Sequence, residues 1–185
     1  MLFLCSTSAD EQEPEVSVLN VLLQEIAGGN SAALETLYRR TSASVYGFAL
    51  SILKNTHDAE DVLHDCYVTV WTAAAGYRAQ GKPMAWLMTI TRNLCLQKLR
   101  ERRKLSDLPQ EDWEPYLSSC EAVTPEDRAV LAACFEQLSG EERQIVTLHA
   151  VSGFKHREIA ALLELPLPTV LSKYHRAIKK LRQLL

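Results

Sequence analysis

Thr169, Ser172, Lys173 and Arg176 recur at three- to four-residue spacing near the C-terminal end of the chain. On a helix that spacing places them on one face, and their types are those that reach base edges in a DNA major groove. Lys179, Lys180 and Arg182 follow as cations suited to phosphates. A solvated basic helix would have the same composition, so the preceding element decides. Residues 156–163 present Ile159, Ala160, Leu162 and Leu163 at helical spacing, and Glu164-Leu165-Pro166-Leu167 leaves room for only a tight connection. The next helix takes Pro168 into its first turn and turns Val170, Tyr174, Ala177, Ile178 and Leu181 inward. Two helices joined by a few residues, the second amphipathic and basic, form the helix-turn-helix pattern.

Charge is distributed unevenly along the chain. Residues 1–38 carry six acids and no Lys or Arg, and residues 92–104 carry six bases against Glu101 alone. Residues 105–127 reverse the sign with seven acids and no base, and the last sixteen residues hold five bases and no acid. Two basic segments separated by an acidic stretch predict two polyanion-binding surfaces on one chain, which the net charge of −3 conceals. No Ser/His/Asp set, Gly-rich phosphate loop, HExxH or carboxylate pair stands at usable spacing, so an enzyme is not expected. His57, His64 and Cys66 lack the spacing of a zinc site, and no metal or cofactor is expected. Five scattered cysteines without a CxxC pair predict reduced thiols, with Cys66, Cys95 and Cys134 as small core residues.

The elements that must carry these residues are helical nearly throughout. Asn30, after Gly28-Gly29, is a plausible N-cap for a stripe of Leu34, Leu37, Tyr38, Thr41, Val45, Ala49 and Ile52. Ala59, Val62, Leu63, Cys66, Tyr67, Val70 and Trp71 follow the i, i+3, i+4 pattern without a miss, and Asp58, Glu60, Asp61, His64 and Asp65 lie on the other face. The loop 76–83 precedes a helix from about Met84 to Arg103 that begins apolar and ends basic. Two prolines, clustered acids and no periodicity mark 105–123 as a linker. Thr124-Pro125-Glu126-Asp127 opens a second helical unit, and Ser139 with Glu142 forms a capping box. The expected fold is all-α: two small helical domains, 20–104 and 124–185, joined by a flexible acidic linker at 105–123 and preceded by a loose tail, 1–19. The apolar start is too short and lacks the positive flank of a signal peptide, and no run approaches the roughly 18 apolar residues of a membrane span, so a cytoplasmic protein without membrane insertion is expected.

The segment Glu158-Ile159-Ala160, Leu165-Pro166, and Thr169-Val170-Leu171-Ser172-Lys173-Tyr174-His175-Arg176-Ala177 resembles region 4 of sigma-70-family initiation factors, most closely the extracytoplasmic-function group. Around Thr169 that group's pattern is roughly Gly-Thr-Val-Lys-Ser-Arg-Leu-x-Arg-Ala, so Pro168, Leu171, Lys173 and Tyr174 are departures. Leu37-Tyr38-Arg39-Arg40, Asp58-Ala59-Glu60-Asp61-Val62, Val70-Trp71 and Ala85-Trp86-Leu87 with Ile90 and Arg92-Asn93-Leu94 resemble region 2, in order and at matching distances, with His64 where glutamine is common. The resemblance covers nearly the whole chain. It implies a protein that joins core RNA polymerase and directs it to promoter DNA.

By the resemblance, the C-terminal helix reads the −35 element as duplex, through Thr169, Leu171, Ser172, Lys173, Arg176, Lys179 and Lys180. The N-terminal domain melts and holds the −10 element, through Tyr77, Arg78, Lys82, Trp86, Arg92, Asn93 and Lys98, with a flipped base held in the loop at 76–83. Holding a melted strand needs stacking surfaces and cations together, and this segment offers both; Trp86 also fits a core position. Asp58, Glu60, Asp61, His64 and Asp65 meet a coiled coil of the polymerase largest subunit. The acidic linker enters the polymerase RNA channel, and an anti-sigma factor wedges between the domains. No small-molecule substrate is implied. The alternative is a helix-turn-helix regulator that never binds core polymerase; it would need a ligand or dimerisation domain, which residues 20–104 do not clearly offer.

Overall fold

A computed structural model describes residues 9–79, 82–105 and 135–184. The expected linker and the cap at Thr124-Pro125 lie outside the described residues. Within them the chain forms seven α-helices: α1 (Ala9–Ala27), α2 (Ser31–Leu53), α3 (Thr56–Ala73), α4 (Pro83–Leu105), α5 (Gly140–Ala150), α6 (His156–Leu163) and α7 (Leu167–Leu184). A 3₁₀ turn, Ala74–Gly76, follows α3 directly.

Local chemistry sets where the helices begin. The Asn30 side chain accepts from the Ala32 and Ala33 amides, so a polar group on the residue before α2 satisfies two of its four orphan donors. Gly29 just before it adopts φ +86°, a conformation that glycine takes without Cβ strain. Asn55 accepts from the Asp58 amide at the start of α3. At α5, Ser139 Oγ accepts from the Glu142 amide and the Glu142 carboxylate accepts from the Ser139 amide, the reciprocal box the sequence predicts. Lys54 and Glu164 take left-handed conformations after α2 and α6, closing those helices without glycine.

Leu19, Leu22, Leu23 and Ile26 of α1 are buried at helical spacing. The segment expected as a loose tail is therefore helical from Ala9, because the apolar stripe that begins at Leu19 docks the helix on α2 and α4. Leu37, Val45 and Phe48 of α2, Val62, Cys66, Tyr67 and Val70 of α3, and Leu87, Met88 and Cys95 of α4 complete the N-terminal core. Thr41 donates or accepts at 2.7 Å with the Tyr67 hydroxyl, so the polar member of the α2 stripe is buried with a partner. Trp71 departs from its predicted inward position and is 40% exposed.

The C-terminal helices bury Ile145, Leu148, Phe154, Ile159, Leu163 and Val170, and these are continuous with the N-terminal core in one apolar cluster. Helix α5 packs on α2, and α6 on α4. Ser44 Oγ donates a long hydrogen bond, 3.5 Å, to the Val151 carbonyl at the end of α5. A cavity of about 310 Å³ remains between the halves, lined by Leu19, Thr41, Met84, Val151 and Phe154 among others. No described helix is long and apolar enough to cross a membrane.

Candidate nucleic-acid interface

The turn that presents α7 is made by the backbone. The left-handed Glu164 reverses the chain, its amide and that of Leu165 reaching the Ala160 carbonyl, and Pro166 and Pro168 flank the helix start without costing a needed donor. Val170 and Ala177 of α7 are fully buried, which fixes the rotation of the helix. Pro168, Leu171, Ser172, His175, Arg176, Lys179 and Arg182 then share the outward face.

Four of the seven sequence-derived −35 residues, Leu171, Ser172, Arg176 and Lys179, stand on that face, and Thr169 lies half-buried at its edge. Arg176 Nε donates to the Ser172 carbonyl at 3.4 Å, leaving its outer nitrogens toward solvent. The other two lysines turn back onto α5. Lys173 Nζ is 2.7 Å from Glu141 Oε2, and Lys180 Nζ is 2.8 Å from the almost fully buried Glu142 and also donates to the Gln137 carbonyl. Burial works against the Glu142 charge, but Lys180 and Ser139 outweigh it and hold the carboxyl below its usual value. His175 is the residue that the sequence reading missed. It falls in the 168, 171/172, 175/176, 179 series, and spacing alone would have found it.

The predicted −10 residues spread along the loop after α3 and along α4. Gly76, Tyr77, Arg78, Lys82, Ala85, Trp86 and Thr89 line an open concavity of about 460 Å³. Tyr77 and Trp86, both in its lining, pack together with ring centroids 5.0 Å apart and planes at 52°. The Tyr77 hydroxyl donates to Asn20 of α1 at 2.7 Å, and burial pushes that phenol above its usual range. Trp86 is half-buried, so it serves the core and the concavity together. Arg78, Lys82 and Asn93 are exposed.

Three cations of this set meet carboxylates. Lys82 lies 3.7 Å from Glu158 of α6, and Arg92 lies 3.6 Å from Glu164 in the α6–α7 turn. Lys98 bonds Asp61 and lies 3.6 Å from Asp58, which Arg102 also reaches at 3.0 Å. Burial opposes the Lys98 charge, but the two aspartates raise its pKa, and Lys98 in turn lowers that of Asp61. Asp58 therefore faces α4 rather than the open side of α3. Glu60, Asp61, His64 and Asp65 are exposed, and the same face continues into Val68 and Trp71, 50% and 40% exposed. That apolar end went unrecognised because Trp71 completes a perfect core stripe in the sequence.

Two families match this chain in order: Sigma-70 region 2 over residues 37–105, and Sigma-70, region 4 over residues 128–181. The chain is 27% identical over 174 residues to a protein named ECF RNA polymerase sigma factor SigK from Mycobacterium ulcerans, covering 90% of this chain and 93% of the relative. A SigK of the same description from Mycolicibacterium vanbaalenii is 25% identical, covering 90% and 89%. Among solved structures, CnrH in complex with the cytosolic domain of CnrY superposes with a TM-score of 0.65 at 25% identity, covering 90% of this chain and 96% of that one. The sigma factor RpoE in complex with the anti-sigma factor NepR from Bartonella quintana has the same fold, with a TM-score of 0.68 at 23% identity over 81% of this chain and 94% of that chain.

Proposed function

We propose a division of labour among these surfaces on the premise that this chain belongs to the sigma-70 family, in its extracytoplasmic-function group. The protein is a transcription initiation factor that binds core RNA polymerase and directs it to promoters. One observation carries the reading: the two sigma regions match in order along one chain, and each contributes a surface of the right chemistry.

In our reading, residues 124–185 form the −35 domain, with Leu171, Ser172, His175 and Arg176 toward base edges and Lys179 and Arg182 toward phosphates. Lys173 and Lys180 set the angle of α7 against α5. Residues 20–104 form the −10 domain, joined to the other by 105–123. The Tyr77–Trp86 concavity takes an unstacked base, and Arg78 and Lys82 at its rim hold the strand. Glu60, Asp61, His64 and Asp65, extended by Val68 and Trp71, face core polymerase: carboxylates steer a basic partner and the apolar end supplies burial. Asp58 acts inside the domain, tying α3 to α4. An anti-sigma factor regulates the protein by entering between the halves, where the 310 Å³ cavity already offers apolar walls. The protein works in the cytoplasm as a binding factor with no reaction of its own.

The test is co-purification with core polymerase in the absence of DNA. Retention by the wild-type chain, and loss in a Val68→Asp/Trp71→Ala variant that keeps the wild-type circular dichroism spectrum, is expected. A chain that binds duplex but never core polymerase would be a conventional regulator, and the reading would fall.

A further inference from the structure

The three helices of the C-terminal unit meet at a cluster of rings. His149 comes from the last turn of α5, His156 opens α6, and Tyr174 stands midway along α7. The two imidazoles lie 4.5 Å apart between centroids, with planes at 32°. Tyr174 meets both edge-on, at 5.0 Å from His149 and 4.7 Å from His156. His149 Nδ1 lies 2.8 Å from the Phe154 carbonyl; a carbonyl only accepts, so Nδ1 carries the proton. His156 Nε2 is buried and has no hydrogen-bond partner.

We propose that His149, His156 and Tyr174 are positioning residues for α7, and that their ring cluster makes −35 reading depend on the protonation of His156. An imidazolium donates from both nitrogens, yet Nε2 has nothing to donate to where it stands. A charged His156 would be a buried donor without an acceptor, and the ring escapes that cost by leaving the cluster and taking water. The groups facing it add no compensation. From α5 it meets His149, and from α7 His175 and the uncharged Tyr174, and the two histidines oppose a further proton on it. On its own helix, Glu158 is turned toward Lys82 of α4. Burial first, then the two histidines, hold His156 below the usual histidine value. The neutral ring is thus the one that packs, and Tyr174 transmits its state to Leu171, Ser172, His175 and Arg176 on the outward face one turn either side. The tyrosine at 174 has a physical role here: an aromatic edge packs on paired imidazoles as an aliphatic side chain cannot.

The sign separates this cluster from direct contact. Protonating His175, on the outward face, adds a cation beside DNA and strengthens binding in acid. Protonating His156 loosens α7 and weakens it. The experiment is a nuclear magnetic resonance titration of the full-length chain from pH 8 to 5, following histidine ring protons and the amides of residues 169–177. Binding of the chain to a −35 duplex is measured over the same range in a His175→Gln background. His156 should titrate below the usual histidine range, the α7 amides should move with its midpoint, and duplex affinity should fall several-fold across it. His156→Phe keeps a ring in place and should remove that midpoint from both amides and binding. Should that variant fail to fold, Tyr174→Leu should leave the histidine titration in place and uncouple the amides from it. Amides that ignore the His156 midpoint, or a binding profile unchanged by His156→Phe, would overturn the proposal. The duplex arm rests on the sigma reading. Amides that follow His156 in a chain that binds no duplex at any pH would sink the reading of α7 as a −35 reader in the free chain and leave the positioning of α7 supported.

Discussion

Lys173 and Arg176 are cations three residues apart on one helix, and the fold assigns them different work. Arg176 faces outward, whereas Lys173 is drawn to Glu141 on α5. Arg176→Ala should cost about 1–3 kcal/mol of promoter affinity with relaxed preference at one base position. Lys173→Ala should cost less, uniformly across sequences, and a −35 library assayed with the holoenzyme distinguishes the two. Leu171, 37% exposed on the same face, should gain general affinity on Leu171→Lys, with the salt slope steeper by about one. The sequence displayed which residues could contact DNA but not which were already engaged, because the partner carboxylates lie far off in the chain, as Glu141 does from Lys173 and Glu158 from Lys82, and spacing carries no information about them. Buried thiols give a check on the residue scale in the other half. Burial pushes Cys66 up to about 11 and Cys95 up to about 12, so the reactive thiolate is scarce at neutral pH. Both should resist alkylation in the folded chain and label on unfolding, as peptide mass mapping would show.

Helix boundaries were legible because caps have a local chemical signature. Asn30 and the Ser139–Glu142 box needed only a few neighbouring residues to be recognised. Ser139→Ala should cost about 1 kcal/mol in thermal or urea unfolding. Glu142 adds a pH dependence of known sign: a carboxyl held below its unfolded value stabilises the fold above that value and loses its contribution as pH falls through the folded one. Melts between pH 7 and 3 should therefore show an acid loss that Glu142→Gln reduces. Helix α1 was not read from the sequence: its Leu19–Ile26 stripe straddles the end of the expected tail, and Pro14 and a run of acids obscure its start. The acidic face of α3 was visible as a pattern, while the capture of Asp58 by Lys98 and Arg102 was not, since periodicity names a face and not what covers it. Asp58→Ala should destabilise the N-terminal half by about 1 kcal/mol, and Asp61→Ala, at the exposed end of the same network, far less.

The halves of the molecule share one apolar cluster through α2 and α5, and this closure had no local signature at all: Ser44 and Val151 are separated by more than a hundred residues. Two helical units and a break between them could be read from composition, but not their contact. In the closed molecule Glu158 and Glu164 occupy Lys82 and Arg92 while the outward face of α7 stays open. The isolated chain should thus bind −35 duplex better than −10 single strand, and Glu164→Lys should raise the latter by at most about fivefold, because exposed ion pairs contribute about 1 kcal/mol or less. Fluorescence anisotropy with the two oligonucleotides measures both. The closure also sets a length. Two promoter elements named for positions 25 base pairs apart stand about 85 Å from each other at 3.4 Å per step, and a compact chain of 185 residues has a radius of gyration of about 16 Å. A closed molecule is a ruler folded in half, able to touch one mark at a time. The nineteen residues of the proposed 105–123 linker can reach about 65 Å when drawn out, less than the promoter demands, so the two halves must supply the rest and the spacing depends on how far α2 and α5 are pulled apart on the polymerase.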